Sequence, residues 1–229
     1  MRSTDLSALT VVVTGAGGRL GRVLVRHLAE TCGARVAALD LAPPAALPEG
    51  ARGFGADLGD EAAVAEAFDA VAAALGTPHA LVHTVGMWDG APLAETALAD
   101  WNRMLRVNLT STFLCFREAV RRMRAAGTSG RLVALASMQG ADRGVAQQAA
   151  YAASKAGVVR LVEATAAEYA EAGITAAAVA PSMILFGDEP EGTRGVAAAD
   201  VAALCAHLCG NGGAVHAGTV LRAYGSLQP

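Results

Sequence analysis

Short apolar runs alternate with segments of helical periodicity along the whole sequence, and this alternation constrains the fold more than any other feature. The apolar runs occupy 9–15, 34–40, 52–58, 79–86, 131–137, 174–181 and 217–225. The helical spacing occupies 19–31, 60–75, 99–127, 149–173 and 200–209. Strands that are apolar on both faces are typical of parallel sheets covered by helices. The pattern therefore predicts an α/β fold in one domain over 1–229, with a doubly wound parallel sheet of about seven strands and helices on both faces.

Composition excludes several classes of protein. The net charge is −3 and no long block carries one sign, which argues against nucleic acid as a partner. No apolar run reaches the roughly 18 residues of a membrane helix, and the N-terminus shows no secretory cleavage pattern. Cys205 and Cys209 flank His207, but further metal ligands are missing from the pattern. We expect a cytoplasmic protein with no metal, membrane or nucleic-acid partner.

A glycine-rich turn, TGAGGRLG (14–21), joins the first predicted strand to the first helix. Gly15, Gly18 and Gly21 allow the backbone to turn tightly and to approach a pyrophosphate at the helix N-terminus. Asp40 ends the second predicted strand, where a carboxylate accepts hydrogen bonds from an adenosine ribose. Because the same carboxylate repels a 2′-phosphate, the sequence favours NAD over NADP.

Two features of this nucleotide end have alternative interpretations. Arg19 and Arg22 either weaken the preference for NAD through their charge or are solvated residues of the first helix. Asp57, which ends the third predicted strand, either accepts from the adenine amino group or caps the helix that starts near Asp60.

Tyr151 and Lys155 are four residues apart in a predicted helix and therefore share one face. Lys155 is the only lysine in the chain, which suggests a task that arginine cannot perform. A nearby ammonium favours the phenolate and lowers the pKa of a tyrosine, as a group that exchanges a proton with an alcohol requires. Ser137 ends the preceding predicted strand and is placed to hold a substrate oxygen.

With these pieces in this order, the chain resembles the short-chain dehydrogenase/reductase family over nearly its whole length. The matching segments are TGAGGRLG, Asp40, ADL (56–58), HTVG (83–86), VNLTSTF (107–113), LVALAS (132–137), YAASK (151–155) and AVAPS (178–182). The resemblance implies a Rossmann fold with Tyr151 as general acid/base and Lys155 holding the nicotinamide ribose. It also implies that Ser137 binds the reacting oxygen and that Asn108 holds a water linking Lys155 to solvent. The alternative for Asn108 is a kink or cap in a long helix.

The resemblance further implies a set of residues that contact the dinucleotide. This set is Gly15, Gly18, Arg19, Leu20, Gly21, Asp40, Asp57, Leu58, Thr84, Gly86, Tyr151, Lys155, Pro181 and Ile184.

Three departures from the family pattern affect the site. HTVG stands where the family has Asn-Asn-Ala-Gly, and we interpret His83 as a structural substitution and not as a catalytic base. Ser182 and Phe186 replace a glycine and a threonine that contacts the nicotinamide amide. The segment between Pro181 and the helix at 200 is about a dozen residues short, which predicts a missing helical lid and a more open site.

The residues that follow the strands indicate the substrate. They are Met87, Trp88, Met138, Gln139, Met183, Ile184 and Phe186. This mostly apolar set suits an apolar or aromatic ketone or alcohol, or else covers the core where the lid is missing.

The sequence therefore predicts an NAD(H)-dependent oxidoreductase that exchanges a hydride with a small-molecule carbonyl or secondary alcohol. By the family resemblance, helices 99–127 and 149–173 pair with their mates in a homodimer or homotetramer. The alternatives are a reductase of a C=N or quinonoid substrate, as in dihydropteridine reductases, and a non-catalytic dinucleotide-binding protein.

Overall fold

The seven apolar runs form one parallel sheet in the computed structural model, which describes residues 4–227. Its strands are β1 (Thr10–Thr14), β2 (Arg35–Asp40), β3 (Ala51–Gly55), β4 (Ala80–His83), β5 (Gly130–Leu135), β6 (Ile174–Pro181) and β9 (Val220–Ala223). Their order is β3-β2-β1-β4-β5-β6-β9. In the register, Val12 of β1 lies beside Ala37 of β2 and Leu81 of β4.

The helices lie between the strands, as the periodicity predicts. They are α1 (Arg19–Arg26), α2 (Glu61–Leu75), α3 (Leu98–Leu105), α4 (Ser111–Ala125), α5 (Met138–Ala141), α6 (Ala149–Glu168) and α7 (Ala198–Cys209). Short 3-10 segments cover Leu93–Glu95, Ala170–Ala172 and Asn211–His216. The π-helical turn His27–Thr31 extends α1, and the π-helical turn Arg106–Thr110 joins α3 to α4.

The core has two apolar layers, one on each face of the sheet. Val12 belongs to the layer that contains Phe68 of α2 and Phe116 of α4. The neighbouring Val11 belongs to the opposite layer, which contains Leu24 of α1. Because successive side chains of β1 enter different layers, the sheet is buried on both faces. The predicted doubly wound α/β fold is confirmed.

Two differences from the predicted elements bear on the site. Strands β4 and β5 end at His83 and Leu135, so 84–86 and Ser137 lie in loops beyond the strand ends. The sequence also gave no sign of β7 (Ile184–Leu185) and β8 (Val196–Ala197), which pair in parallel as a separate ribbon. Strands of two residues are too short to show a periodic pattern.

Within residues 4–227, no helix combines the length and apolarity that a membrane crossing requires. The same residues contain no cluster of three or more histidine, cysteine or acidic side chains arranged to hold a metal ion.

Candidate active site

The predicted site residues gather at the carboxyl ends of the strands. Strand β1 lies between β2 and β4, so the chain winds in opposite directions on its two sides. In open α/β sheets, ligands bind in the crevice at such a switch point.

The glycine turn has the close backbone packing that a pyrophosphate cradle requires. Gly15 has a φ of +68°, and a Cβ there would lie 2.8 Å from Thr84 Oγ1. A Cβ on Gly21 would lie 2.0 Å from the Gly15 carbonyl oxygen, so only glycine allows α1 to begin this close to the turn. Gly18 caps α1, and Arg19 and Leu20 form its first turn. The free N–H groups of this helix start favour an anion.

Asp40 lies beside the glycine turn, as predicted. Its Oδ2 accepts from the Gly17 backbone N–H at 2.7 Å, and its Oδ1 accepts from the Leu41 N–H at 2.7 Å. Arg22 donates through Nε to the Gly17 carbonyl oxygen at 2.8 Å. Both charged groups therefore bind the Gly17 backbone, and Arg22 does so as an exposed side chain.

A cavity of about 240 Å³ lies between Asp40 and Asp57 and is also lined by Leu58. Arg106 donates to Asp57 Oδ2 at 2.7 Å, and the Gly59 N–H donates to Oδ1 at 2.9 Å. These bonds hold the pKa of Asp57 below its ordinary value. The alternative in which Asp57 caps the next helix is wrong, because Asp60 caps α2 by accepting from the Ala63 N–H.

The glycine cradle, Asp40 and this cavity together fit a dinucleotide. The cradle suits the pyrophosphate, the Asp40 carboxylate suits ribose hydroxyl donors, and the cavity beside Asp57 and Leu58 suits the adenine ring.

Arg19 crosses from the glycine turn to the segment after β7. Its guanidinium lies 4.0 Å from the ring centroid of Phe186 and forms ion pairs with Asp188 and Glu189. The Glu189 carboxylate in turn accepts from the Phe186 and Gly187 N–H groups. Arg19 is therefore held at this end of the crevice by the Phe186 ring and two carboxylates, while its side chain stays 59% exposed. Phe186, which replaces the family's threonine, provides the surface on which Arg19 stacks.

The segment between β6 and α7 contains β7 and β8 but no helix. The predicted absence of a helical lid is confirmed for this segment. Pro181 ends β6 opposite Ala223 of β9, and Ile184 of β7 pairs with Val196 of β8. Pro181 and Ile184 therefore lie at the predicted nicotinamide end of the crevice.

His83 and Thr84 brace the end of β4. His83 Nδ1 lies 2.8 Å from Thr14 Oγ1, and its Nε2 lies 3.1 Å from Ser111 Oγ. Burial and the positive charge of Lys155 lower the pKa of His83 to about 3. Thr84 Oγ1 donates to the Thr14 carbonyl oxygen at 2.6 Å. This buried, neutral imidazole joins β1, β4 and α4, which fits its interpretation as a structural substitution.

Ser137 lies next to both Gln139 and Tyr151. Ser137 is buried at the N-cap of α5 and donates to Gln139 Oε1 at 2.5 Å. The Ser137 hydroxyl also interacts with the Tyr151 hydroxyl closely enough to lower the pKa of Tyr151. The structure thus brings together two of the four predicted catalytic residues. It adds Gln139, which the sequence indicated only as a lining residue.

Lys155 is buried one helical turn after Tyr151 in α6. Its Nζ donates to the Leu135 carbonyl oxygen at 2.7 Å, and a Cβ on Gly86 would lie 3.1 Å from Nζ. Burial raises the pKa of Tyr151, and the interaction with Ser137 offsets part of this rise. The predicted lowering of the Tyr151 pKa by Lys155 is therefore not found, because the ammonium is bonded to β5.

Asn108 lies in the π-helical turn and is completely buried. Its Nδ2 donates to the Met87 carbonyl oxygen at 3.0 Å and to Ser154 Oγ at 2.9 Å, and its Oδ1 accepts from the Met87 N–H at 2.7 Å. A Cβ on Gly86 would lie 3.4 Å from this Oδ1. Asn108 therefore ties the loop after β4 to α6 beside Lys155, and the predicted helix irregularity coincides with the predicted site residue.

Gly140 is a site residue that sequence reasoning missed. A Cβ at this position would lie 2.5 Å from both the carbonyl carbon and the Cβ of Lys155. Gly140 thus allows α5, which follows Ser137, to pack directly on the α6 backbone. A lone glycine after the family motif gives no signal of a helix contact that exists only in three dimensions.

The buried ammonium leads to a prediction about stability. Burial lowers the pKa of Lys155 from 10.5 to about 8, so the unfolded chain binds more protons than the folded protein between these values. The free energy of unfolding of the wild type should therefore rise with pH across this window. Lys155→Met should stabilise the protein near neutral pH, and this gain should shrink towards pH 10.5. Urea unfolding of the wild type and of Lys155→Met, from neutral pH to pH 10.5, tests this prediction. A stability difference between the two proteins that does not change with pH would contradict it.

Comparisons with known proteins agree with this geometry. The profile of the short chain dehydrogenase family matches residues 9–188. The chain is 38% identical to D-threitol dehydrogenase of Mycolicibacterium smegmatis over 189 residues, 79% of this chain and 72% of that protein. It is 39% identical to cis-4-hydroxycyclohexanecarboxylate dehydrogenase of Sinomonas cyclohexanicum over 188 residues, 78% of this chain and 73% of that protein. The crystal structure of sorbitol-6-phosphate 2-dehydrogenase from Erwinia amylovora superposes with a TM-score of 0.85 at 27% identity, covering 96% of this chain and 100% of that one.

Proposed function

The chain belongs to the short-chain dehydrogenase/reductase family, and from this premise we propose that it is an NAD(H)-dependent oxidoreductase that interconverts a secondary alcohol and a carbonyl compound. The observation that carries the proposal is the proximity of the Ser137 and Tyr151 hydroxyls, with Lys155 one helical turn further along α6. A proton donor, an oxygen-binding hydroxyl and a fixed cation are the groups that this reaction needs from the protein.

A nicotinamide cofactor would supply or accept the hydride when bound, and the protein's own residues would transfer the proton and hold the oxygen. Tyr151 donates its hydroxyl proton to the carbonyl oxygen in reduction and takes it back in oxidation. Its raised pKa keeps it protonated at neutral pH, which suits the acid role. Ser137 donates a hydrogen bond to the same oxygen and so fixes it next to Tyr151.

Lys155 and Asn108 are proposed to support this proton transfer from their buried positions. The Lys155 ammonium lies between the Leu135 carbonyl oxygen and Gly86, where it contributes positive charge as the phenolate forms and is placed to hold the nicotinamide ribose. Asn108 fixes the loop that carries Gly86, and beside it a water is proposed to link Lys155 to solvent.

The cofactor preference gives a prediction. Because Asp40 lies beside the glycine turn, where we propose that the adenosine ribose binds, NAD(H) should bind at least about tenfold more tightly than NADP(H), a difference of about 1.4 kcal/mol. Calorimetric titration of both dinucleotides measures this difference, and Asp40→Ala should reduce it. Equal affinities in the wild type, or tighter binding of NADP(H), would overturn the role of Asp40.

The substrate is proposed to have an apolar body. Trp88, Met183 and Val145 follow β4, β6 and α5 and remain 63%, 57% and 41% exposed. Exposed apolar side chains at a crevice are suited to an apolar ligand. Two of the relatives are dehydrogenases of D-threitol and of a hydroxycyclohexane carboxylate, which supports an alcohol as substrate. Reduction of a C=N or quinonoid group would not need Ser137 to bind the reacting oxygen.

The assembly gives a further prediction. A groove of about 450 Å³ runs between α4 and α6, and Phe113 at its edge is 43% exposed. Arg117 Nε in this groove is buried and has no hydrogen-bond partner within residues 4–227. We expect a second copy of the chain to cover this face in a homodimer or homotetramer. Light scattering should give at least twice 23.0 kDa, and Phe113→Asp should weaken the assembly. A wild-type mass of about 23 kDa at micromolar concentration would contradict it.

The experiment that tests the proposed function is a screen of secondary alcohols with NAD⁺ and of ketones with NADH. The change in NADH absorbance is the readout. Turnover that is lost in Tyr151→Phe supports the proposal. Tight NAD binding without turnover of any alcohol or ketone would instead support a non-catalytic dinucleotide-binding protein.

A further inference from the structure

The proton of Ser137 has two competing acceptors. A hydroxyl group has one proton, and in the structure Ser137 donates it to Gln139 Oε1 at 2.5 Å. In the proposed reaction, Ser137 must donate this same proton to the substrate oxygen. Substrate binding therefore takes the proton away from Gln139.

Within residues 4–227, Gln139 makes one hydrogen bond, which it accepts from Ser137. Its Oε1 accepts only from Ser137, and its two amide N–H donors have no partner within residues 4–227. The side chain is half-buried. When Ser137 turns to the substrate, an acceptor beside an apolar crevice loses its donor, which costs free energy unless the substrate replaces it.

A second hydroxyl on the substrate can replace that donor. The two oxygens of a vicinal diol are separated by about the length of a hydrogen bond, which matches the spacing of Ser137 Oγ and Gln139 Oε1. With the reacting oxygen between Ser137 and Tyr151, a hydroxyl on the adjacent carbon lies near Gln139. This hydroxyl can donate to Oε1 and accept from the amide Nε2.

We propose that Gln139 is a specificity-determining residue that selects substrates with an oxygen on the carbon next to the reacting one, namely vicinal diols and the corresponding α-hydroxy ketones. This inference rests on the proposed function, because it concerns the same Ser137–Tyr151 site. It narrows the substrate to an apolar skeleton that carries two neighbouring oxygens.

Matched pairs of substrates with the same carbon skeleton test the proposal. Suitable pairs are cyclohexanol with cyclohexane-1,2-diol and 2-butanol with butane-2,3-diol, each oxidised with NAD⁺. The wild type should favour the diol by about tenfold or more in kcat/KM. Gln139→Leu should bring this ratio to within about twofold. Gln139→Glu, which keeps an acceptor oxygen, should restore much of the preference.

Gly144→Ala, in the loop shortly after the same helix, is the matched control, because its added Cβ would meet no atom within 4 Å; it should leave the diol-to-alcohol ratio unchanged. A purely structural role of Gln139 would lower both activities in Gln139→Leu and leave their ratio intact, which would overturn the inference. Wild-type enzyme that oxidises the simple alcohols as well as the diols would also overturn it, while the proposed function would stand. Failure to oxidise any member of the pairs, or any alcohol in the wider screen, would overturn both.

Discussion

Replacing Lys155 by arginine should reduce kcat/KM by about a hundredfold or more, a loss of about 2.7 kcal/mol of transition-state stabilisation. Lys155 Nζ lies between the Leu135 carbonyl oxygen and Gly86. A Cβ added to Gly86 would be only 3.1 Å from Nζ. A planar guanidinium carries the same charge but spreads it over a fork, so it cannot place that charge at the point that Nζ occupies. Steady-state kinetics on a substrate from the alcohol screen measures the effect.

Tyr151→Phe should cost at least as much, because it removes the proton donor, and it should leave NAD binding largely intact. The double variant should be far from additive, since the two residues act as one unit. Melting curves of the three variants should stay close to that of the wild type. Near-normal turnover by Lys155→Arg would contradict the proton relay.

Gly140→Ala should also reduce kcat/KM by about a hundredfold, although Gly140 is not among the residues proposed to contact the substrate or the cofactor. The added Cβ would lie 2.5 Å from the Lys155 carbonyl carbon and 2.7 Å from the Ala156 nitrogen, so α5 must move away from α6. Ser137 caps α5, and Tyr151 belongs to α6. The movement therefore separates the two groups that hold the reacting oxygen, and a misplacement of about 1 Å can cost this much.

Gly144→Ala is the matched control for this prediction. Gly144 lies shortly after α5, its φ is not positive, and a Cβ there meets no atom within 4 Å. Gly144→Ala should retain full activity, and NAD affinity should be similar in both variants. Loss of less than about threefold in Gly140→Ala, with folding intact, would show that the contact between α5 and α6 does not position Ser137.

The sequence was sufficient for the sheet and for the residues that approach each other along it. Apolar runs buried on both faces determine the strands, and the glycine turn and Asp40 follow from two adjacent strand ends. The shared helix face of Tyr151 and Lys155 follows from their four-residue spacing alone. Each of these features depends on local spacing, which a sequence displays directly.

Contacts between distant segments could not be predicted in this way. Arg19 stacks on Phe186, and Arg106 binds Asp57, across large separations in sequence. The pKa of Tyr151 depends on burial, and the position of the Lys155 ammonium depends on where β5 ends. Such features require the packed fold, because charge, burial and hydrogen bonding combine only after the chain has folded.

The protein should couple the oxidation of a secondary alcohol to the reduction of NAD⁺ through Tyr151. The most direct measurement is the yield of carbonyl product and of NADH from one alcohol, for the wild type and for Tyr151→Phe at matched NAD⁺ saturation. The account predicts equal amounts of the two products in the wild type and a loss of at least about a hundredfold in rate for Tyr151→Phe. Carbonyl product without NADH, or an unchanged rate in Tyr151→Phe, would contradict it.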